Sequence, residues 1–192
     1  MERRRQRISN VVLVGVLLAC LLMGVRETAA LEVGEKAPDF TLPSTTGEKI
    51  SLSQFQGKQF VLIEFYGEDF SPTCSANLSA RKADYSKFQH LNVQVLAISA
   101  DNPFSQKAFA DSLHLPYPLL SDLGLKVTRS YGVLYGTVGK VEEPAFKDLI
   151  PKRAFFLVDQ QGIVRGRWIG EDLVVFPSDI LLKTAQELTG NP

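Results

Sequence analysis

The chain has 192 residues, 45% of them apolar and 22% charged, with 21 basic side chains matched by 21 acidic ones. That is enough chain for a single domain with a sizeable core. Without its first 30 residues it keeps 16 basic against 19 acidic side chains, so the body has no basic excess for nucleic acid.

The N-terminus departs most from this average. Arg3, Arg4, Arg5 and Arg7 precede an uncharged stretch from Ile8 to Val25, which Arg26 closes. A charged segment followed by an apolar one is the pattern of an export signal. The strongly apolar part starts at Val11 and runs about fifteen residues, shorter than the roughly 20 of a full membrane span. Residues 1–30 therefore read as a signal peptide or membrane anchor, and 31–192 as the folded domain. Cleavage after Thr28-Ala29-Ala30 is the first expectation. Lipidation of Cys20 in Leu17-Leu18-Ala19-Cys20 and retention as an uncleaved anchor are the alternatives. In each case the arginine bias holds the N-terminus in the cytoplasm and puts the body outside it, periplasmic or membrane-anchored. With Cys20 in the leader, Cys74 is the one thiol of the body. A lone thiol in an exported protein points to reactivity, because structural cysteines in oxidising compartments come in pairs.

After the leader, Gly34 to Leu42, a turn around Gly47 and the alternation of Ile50, Leu52 and Phe55 predict a small N-terminal hairpin on the main core. Phe60 to Phe65, apolar and bounded by Gly57 and Gly67, predicts a buried strand. Ser71 as N-cap and Pro72 at the first helical position open a helix from Thr73 to about Gln89. Its inner face carries Leu78, Tyr85 and Phe88, with Arg81, Lys82, Asp84 and Lys87 mostly elsewhere. Val93 to Ser99 is the next strand and Pro103 to Leu113 the next helix. Leu119 to Asp122 is a short strand end before a helical turn around Lys126 to Tyr131. This βαβ order implies parallel strands. Gly132 to Pro151, with three glycines and two prolines, reads as a loop or insertion. Arg153 to Val158, the turn Asp159 to Gly162 and Ile163 to Trp168 form a hairpin, and Asp179 to Leu188 a closing helix.

Cys74 falls in the first turn of a helix just beyond the carboxyl end of a buried strand, where open α/β sheets place ligands. Unpaired backbone N–H groups and the positive end of the helix dipole favour the thiolate there, which is the nucleophilic form. The successive intervals of four and seven from Cys74 to Leu78 and Tyr85 fit an inert core cysteine equally well. Spacing alone leaves both readings open. His90 and His114 are too few and too far apart in sequence to argue a metal site, and no CxxC is present.

The wider pattern separates them. Phe65-Tyr66-Gly67-Glu68-Asp69-Phe70-Ser71-Pro72-Thr73-Cys74 resembles the peroxiredoxin active-site motif, PxxxTxxC or PxxxSxxC. Ala37-Pro38-Asp39-Phe40 resembles the family opening, Ile98-Ser99-Ala100-Asp101 the second strand end, and Pro118-Leu119-Leu120-Ser121-Asp122 the family's PLLSD segment. Tyr131-Gly132-Val133 and Arg153-Ala154-Phe155-Phe156-Leu157-Val158-Asp159 continue the match, which covers roughly residues 31 to 189 in order.

The resemblance implies an α/β, thioredoxin-like fold: a central mixed sheet flanked by helices, with an N-terminal β-hairpin. It also implies a thiol-dependent peroxidase without a cofactor, in which the Cys74 thiolate attacks a peroxide O–O bond and becomes a sulfenic acid. Ser71 matches the hydroxyl that hydrogen-bonds the peroxide, and Arg153 the arginine that supports the thiolate and the polarised peroxide. Negative charge develops on the leaving oxygen, so a fixed guanidinium stabilises the transition state. Gly67 stands where the family has a shielding proline, which predicts a looser loop. Asn77 stands where many members have glutamate. Ser79 occupies the place where one subgroup carries a resolving cysteine, so the chain looks like a one-Cys type whose sulfenic acid is reduced by an external thiol, such as a thioredoxin-like protein. A redox-sensing or catalytically impaired thioredoxin-fold module is the alternative. A homodimer with a transient bridge between two copies of Cys74 stays open.

Overall fold

The computed structural model describes residues 30–135, 150–170 and 175–190. The predicted leader and most of the predicted loop between Gly132 and Pro151 lie outside the described residues. The two short strands β1 (Thr41–Pro43) and β2 (Lys49–Ser51) pair antiparallel, with Leu42 opposite Ile50. Gly47 makes their turn at φ +88°, a conformation that glycine adopts without strain. A single 3-10 turn, Leu52–Phe55, then leads to β3 (Phe60–Phe65).

The expected mixed sheet is present, with five strands. The elements after β3 are α1 (Pro72–Ala83), α2 (Tyr85–His90), β4 (Val93–Ser99), α3 (Pro103–Leu113), β5 (Leu119–Ser121), α4 (Lys126–Ser130), β6 (Ala154–Val158), β7 (Val164–Ile169) and α5 (Ser178–Thr189). The strand order is β5-β4-β3-β6-β7. Strands β3, β4 and β5 are parallel, as βαβ crossovers require, while β6 and β7 run antiparallel to their neighbours. β3 is the central strand, covered on both faces, so its apolar run is nearly continuous. Val61, Ile63 and Phe65 face Phe40, Tyr131 and Phe156, whereas Leu62 and Tyr66 face Leu78, Phe88, Phe155 and Leu181.

The local stops follow from side-chain chemistry. Asn102 caps α3 by accepting from the N–H groups of Phe104 and Ser105, at 3.1 and 3.0 Å. Asp122 of the PLLSD segment accepts from the N–H and hydroxyl of Thr128 at 2.7 and 2.8 Å, which anchors α4. In the β6–β7 hairpin, Asp159 accepts from the N–H groups of Gln161 and Ile163 across the turn.

Two expectations need correction. The helix predicted from Thr73 to about Gln89 is two helices, broken at Asp84, whose φ of −102° and ψ of 6° leave the helical region. The Asp84 carbonyl accepts from the N–H groups of Lys87 and Phe88, and its carboxylate pairs with Lys87 Nζ at 2.7 Å. This restart turns Phe88 fully into the core and sets Tyr85 against Tyr117, ring centroids 5.6 Å apart. The second correction is Arg81. It does not lie away from the inner face but is fully buried on it, seven residues after Cys74 and three after Leu78. Helical periodicity overrode its charge.

Of the segment read as a loop, the described ends meet in an isolated antiparallel bridge between Leu134 and Pro151. Among the described residues no helix is long and apolar enough to cross a membrane.

Candidate active site

β3 ends at Phe65, and the Tyr66 N–H continues its ladder to the Ile98 carbonyl at 3.0 Å. The chain then has to turn from strand into helix within five residues. Phe70 does so with a φ of +60°, a left-handed conformation that a bulky residue adopts only at a cost of order 1–2 kcal/mol. Its ring packs 4.9 Å from that of Phe109, which holds the turn.

The turn is braced from three sides. Asp69 accepts from the Tyr66 hydroxyl at 2.9 Å and from the Ser105 hydroxyl of α3 at 2.6 Å, and its N–H donates to Asp101 Oδ2 at 3.0 Å. Asp101 is held in turn by the Ser99 hydroxyl at 2.9 Å, and Ser99 by Gln106 at 2.9 Å. Burial raises the Asp69 carboxyl above its ordinary range; the Ser105 and Tyr66 hydroxyls oppose that rise and the nearby Asp101 charge adds to it. The loop predicted to be loose at Gly67 is therefore tied to the ends of β4 and α3.

Ser71 caps α1 in an extended conformation, with its carbonyl accepting from the Ser75 N–H at 2.8 Å, and its hydroxyl makes no capping hydrogen bond. That hydroxyl is not spent on capping the helix. Cys74 is the third residue of α1, a free cysteine only 4% exposed. It packs in one cluster with Tyr66, Leu78 and Phe155. Gly67 stands over its sulfur: a β-carbon built there would lie 4.0 Å from Cys74 Sγ and 3.9 Å from the Pro151 carbonyl oxygen. Its backbone is not left-handed, so position 67 does not need glycine for conformation. The side chain of Ile150 already packs against the position, its Cδ1 3.6 Å from where that β-carbon would stand.

Arg153 enters beside this loop because Ala154 pairs with Phe65 at the end of β3. It is 4% exposed. Its carbonyl accepts from the Gly170 N–H at 3.0 Å, and a β-carbon on Gly170 would meet Arg153 Cδ at 3.3 Å, so glycine at 170 makes room for the arginine stem. The fold thus gathers Ser71, Cys74 and Arg153 at the carboxyl end of β3, from positions up to 82 residues apart in the chain.

Beneath them lies charge that the sequence reading did not single out. Glu64, the last residue but one of β3, is fully buried. Burial pushes its carboxyl up from 4.5 to about 7, and the charges of Arg81 and Arg153 hold it from going higher. Arg81 donates from Nη2 to the Phe176 carbonyl, and its Cζ lies 5.5 Å over the Phe155 ring. Asn77, where the family motif has glutamate, is fully buried and bridges two segments. Its amide donates to the Thr73 carbonyl at 2.8 Å and accepts from the Phe176 N–H at 2.8 Å. Glu64 left one trace in the sequence, a charged residue inside an otherwise apolar strand run. Arg81 left another, its i+7 spacing from Cys74.

The AhpC/TSA family model matches residues 33–167. The chloroplastic peroxiredoxin Q of Populus jackii is 36% identical over 140 residues, which are 71% of this chain and 60% of that protein. The chain thus spans about three fifths of the length of such chloroplastic relatives. The putative peroxiredoxin bcp of Coxiella burnetii is 35% identical over 141 residues, 72% of this chain and 89% of that one. Among solved structures, peroxidoxin BcpB from Mycobacterium tuberculosis superposes with a TM-score of 0.71 at 25% identity, covering 82% of this chain and 98% of that one. Reduced 2-Cys peroxiredoxin from Plasmodium vivax superposes with a TM-score of 0.73 at 25% identity, covering 83% of each chain. With a family match over most of its length and a cysteine at the head of α1, beyond the central strand, the chain belongs to the AhpC/TSA family of peroxiredoxins.

Proposed function

We propose that the protein is a thiol-dependent peroxidase that reduces hydrogen peroxide or organic hydroperoxides through Cys74. The observation that carries this reading is the placement of the Cys74 sulfur in the first turn of α1, under Gly67 and beside the entry of Arg153 into the sheet. The thiolate attacks the terminal oxygen of the peroxide, the O–O bond breaks, and Cys74 becomes a sulfenic acid while the alkoxide or hydroxide leaves and takes up a proton. The Ser71 hydroxyl holds the peroxide, and Arg153 stabilises the charge on the departing oxygen.

Regeneration follows a one-Cys route in this reading. Cys74 is the one cysteine among the described residues. An external thiol condenses with the sulfenic acid and releases water, and a second thiol reduces the mixed disulfide. A thioredoxin-like protein or a small thiol fits both roles. The leader puts this chemistry outside the cytoplasm, with the body released or tethered by residues 1–30, and a homodimer is compatible with it.

The test is the second-order rate of Cys74 oxidation by hydrogen peroxide in the full chain with Cys20→Ser, followed by the fluorescence of the single tryptophan, Trp168, and by intact mass. A rate orders of magnitude above a free thiol, one added oxygen, and loss of both in Cys74→Ser are expected. A free-thiol rate replaces the peroxidase with a redox sensor or binding module. A second measurement reads the seat of Arg153. Gly170→Ala presses a methyl against the arginine stem, and the rate is expected to fall roughly threefold to tenfold with the melting temperature nearly unchanged. An unchanged rate means that the seat of the Arg153 stem is not critical.

A further inference from the structure

Asp69 is a carboxylate in the active-site loop to which the peroxidase chemistry gives no task. It stands two residues before Ser71 and five before Cys74, in the turn that joins β3 to α1. Both of its oxygens are engaged, each by a hydroxyl from a different part of the fold. Oδ1 accepts from Tyr66, just past β3, at 2.9 Å, and Oδ2 from Ser105, in the first turn of α3, at 2.6 Å. The shorter length is that of a hydroxyl on a carboxylate. The Asp69 N–H donates in turn to Asp101, just past β4, at 3.0 Å. Three elements at the carboxyl end of the sheet therefore hold the loop at this one residue.

The backbone explains what such a hold is for. Phe70 follows Asp69 at a φ of +60°, and Ser71 is then extended at φ −61° and ψ 135°. A bulky residue leaves the left-handed region unless its neighbours fix it there. Relaxation of Phe70 would swing the entry to α1 and carry the Ser71 hydroxyl with it. That hydroxyl makes no capping hydrogen bond, so the backbone sets where it stands. Tyr66, by contrast, is fixed by its ladder bond to Ile98 and packs in one cluster with Cys74. We propose that Asp69 is a positioning residue for the peroxidase reaction: bonded to Tyr66 and Ser105, it holds the Phe70 turn so that the Ser71 hydroxyl meets the peroxide at Cys74. This inference rests on the peroxidase reading and extends its machinery to Ser105 on α3, a residue that does not touch the peroxide.

The experiment uses the full chain carrying Cys20→Ser and reads two rates on Cys74 at one pH. Oxidation by hydrogen peroxide needs the Ser71 hydroxyl in this reading, and alkylation by iodoacetamide does not. Asp69→Ala is expected to slow oxidation about thirtyfold and Ser105→Ala about fivefold, with no fall in alkylation in either. Ser105→Thr, which keeps the hydroxyl at a half-buried position, restores the parental oxidation rate. In a Ser71→Ala background, Asp69→Ala is expected to cost less than about twofold, because it acts through that hydroxyl. A merely structural role gives another pattern: oxidation and alkylation fall together, or Asp69→Ala keeps its full effect without the Ser71 hydroxyl. Either result overturns the inference. Ser105→Ala at the parental oxidation rate does so too, and this mild substitution decides the matter if Asp69→Ala fails to fold. A fast parent whose rate ignores these substitutions defeats this inference alone, whereas a parent no faster than a free thiol defeats the peroxidase reading on which it rests.

Discussion

Arg153→Met is expected to lower the second-order rate of Cys74 oxidation by about a hundredfold to a thousandfold, equivalent to about 2.7–4 kcal/mol of transition-state stabilisation. The magnitude follows from where charge moves. Breaking the O–O bond leaves negative charge on an oxygen held at a nearly buried sulfur, and the cation of Arg153, a residue only 4% exposed, is little screened by water. Methionine keeps much of the stem's volume and removes the charge, so packing against Gly170 is largely retained. Arg153→Lys separates charge from geometry. A lysine restores a point charge without the planar fork, and an intermediate rate is expected. Stopped-flow fluorescence of Trp168 measures both. A methionine variant within threefold of the parent removes Arg153 from the mechanism.

Glu64→Gln is expected to gain stability over the parent as pH rises. The sign follows from the direction of the shift. The Glu64 carboxyl ionises near 4.5 when unfolded and near 7 in the folded protein, so the native state binds the proton more tightly. The folded state's advantage is therefore full below about pH 4.5 and is lost as pH rises through about 7. Glutamine is neutral throughout and does not suffer this loss. The interval from 4.5 to about 7, at about 1.36 kcal/mol for each tenfold in proton affinity, amounts to about 3 kcal/mol as an upper figure. Urea unfolding at about pH 5 and about pH 8 should show a difference between variant and parent that grows with pH. A constant difference means Glu64 does not titrate between those values.

The two arginines and the glutamate also show how far a sequence reading reaches here. The strands were legible because their signals are local: Phe60 to Phe65 and Val93 to Ser99 are apolar runs between turn residues, and both form as predicted. The start of α1 was legible for the same reason, since Ser71 and Pro72 mark a helix N-terminus within two residues, and Cys74 follows at a fixed offset. The break at Asp84 was not, because one face of apolar residues at helical spacing runs through it. Whether the backbone restarts there depends on where Tyr117 and β4 receive Tyr85 and Phe88. Arg153 carried no local signal and was singled out through the family resemblance.

Composition and periodicity by themselves determined an α/β domain with parallel strands and a cysteine at a helix N-terminus. Each of those is written in neighbouring residues, through alternation, capping and turn chemistry. Tertiary structure alone decided that Arg81 is inside, that Glu64 is buried under the electrostatic influence of Arg81 and Arg153, and that Asp69 is tied to Ser105 and Asp101. Those partners are 17 to 89 residues apart in the chain, and a charged side chain is sent inward only if folding brings its counter-charge to the same place.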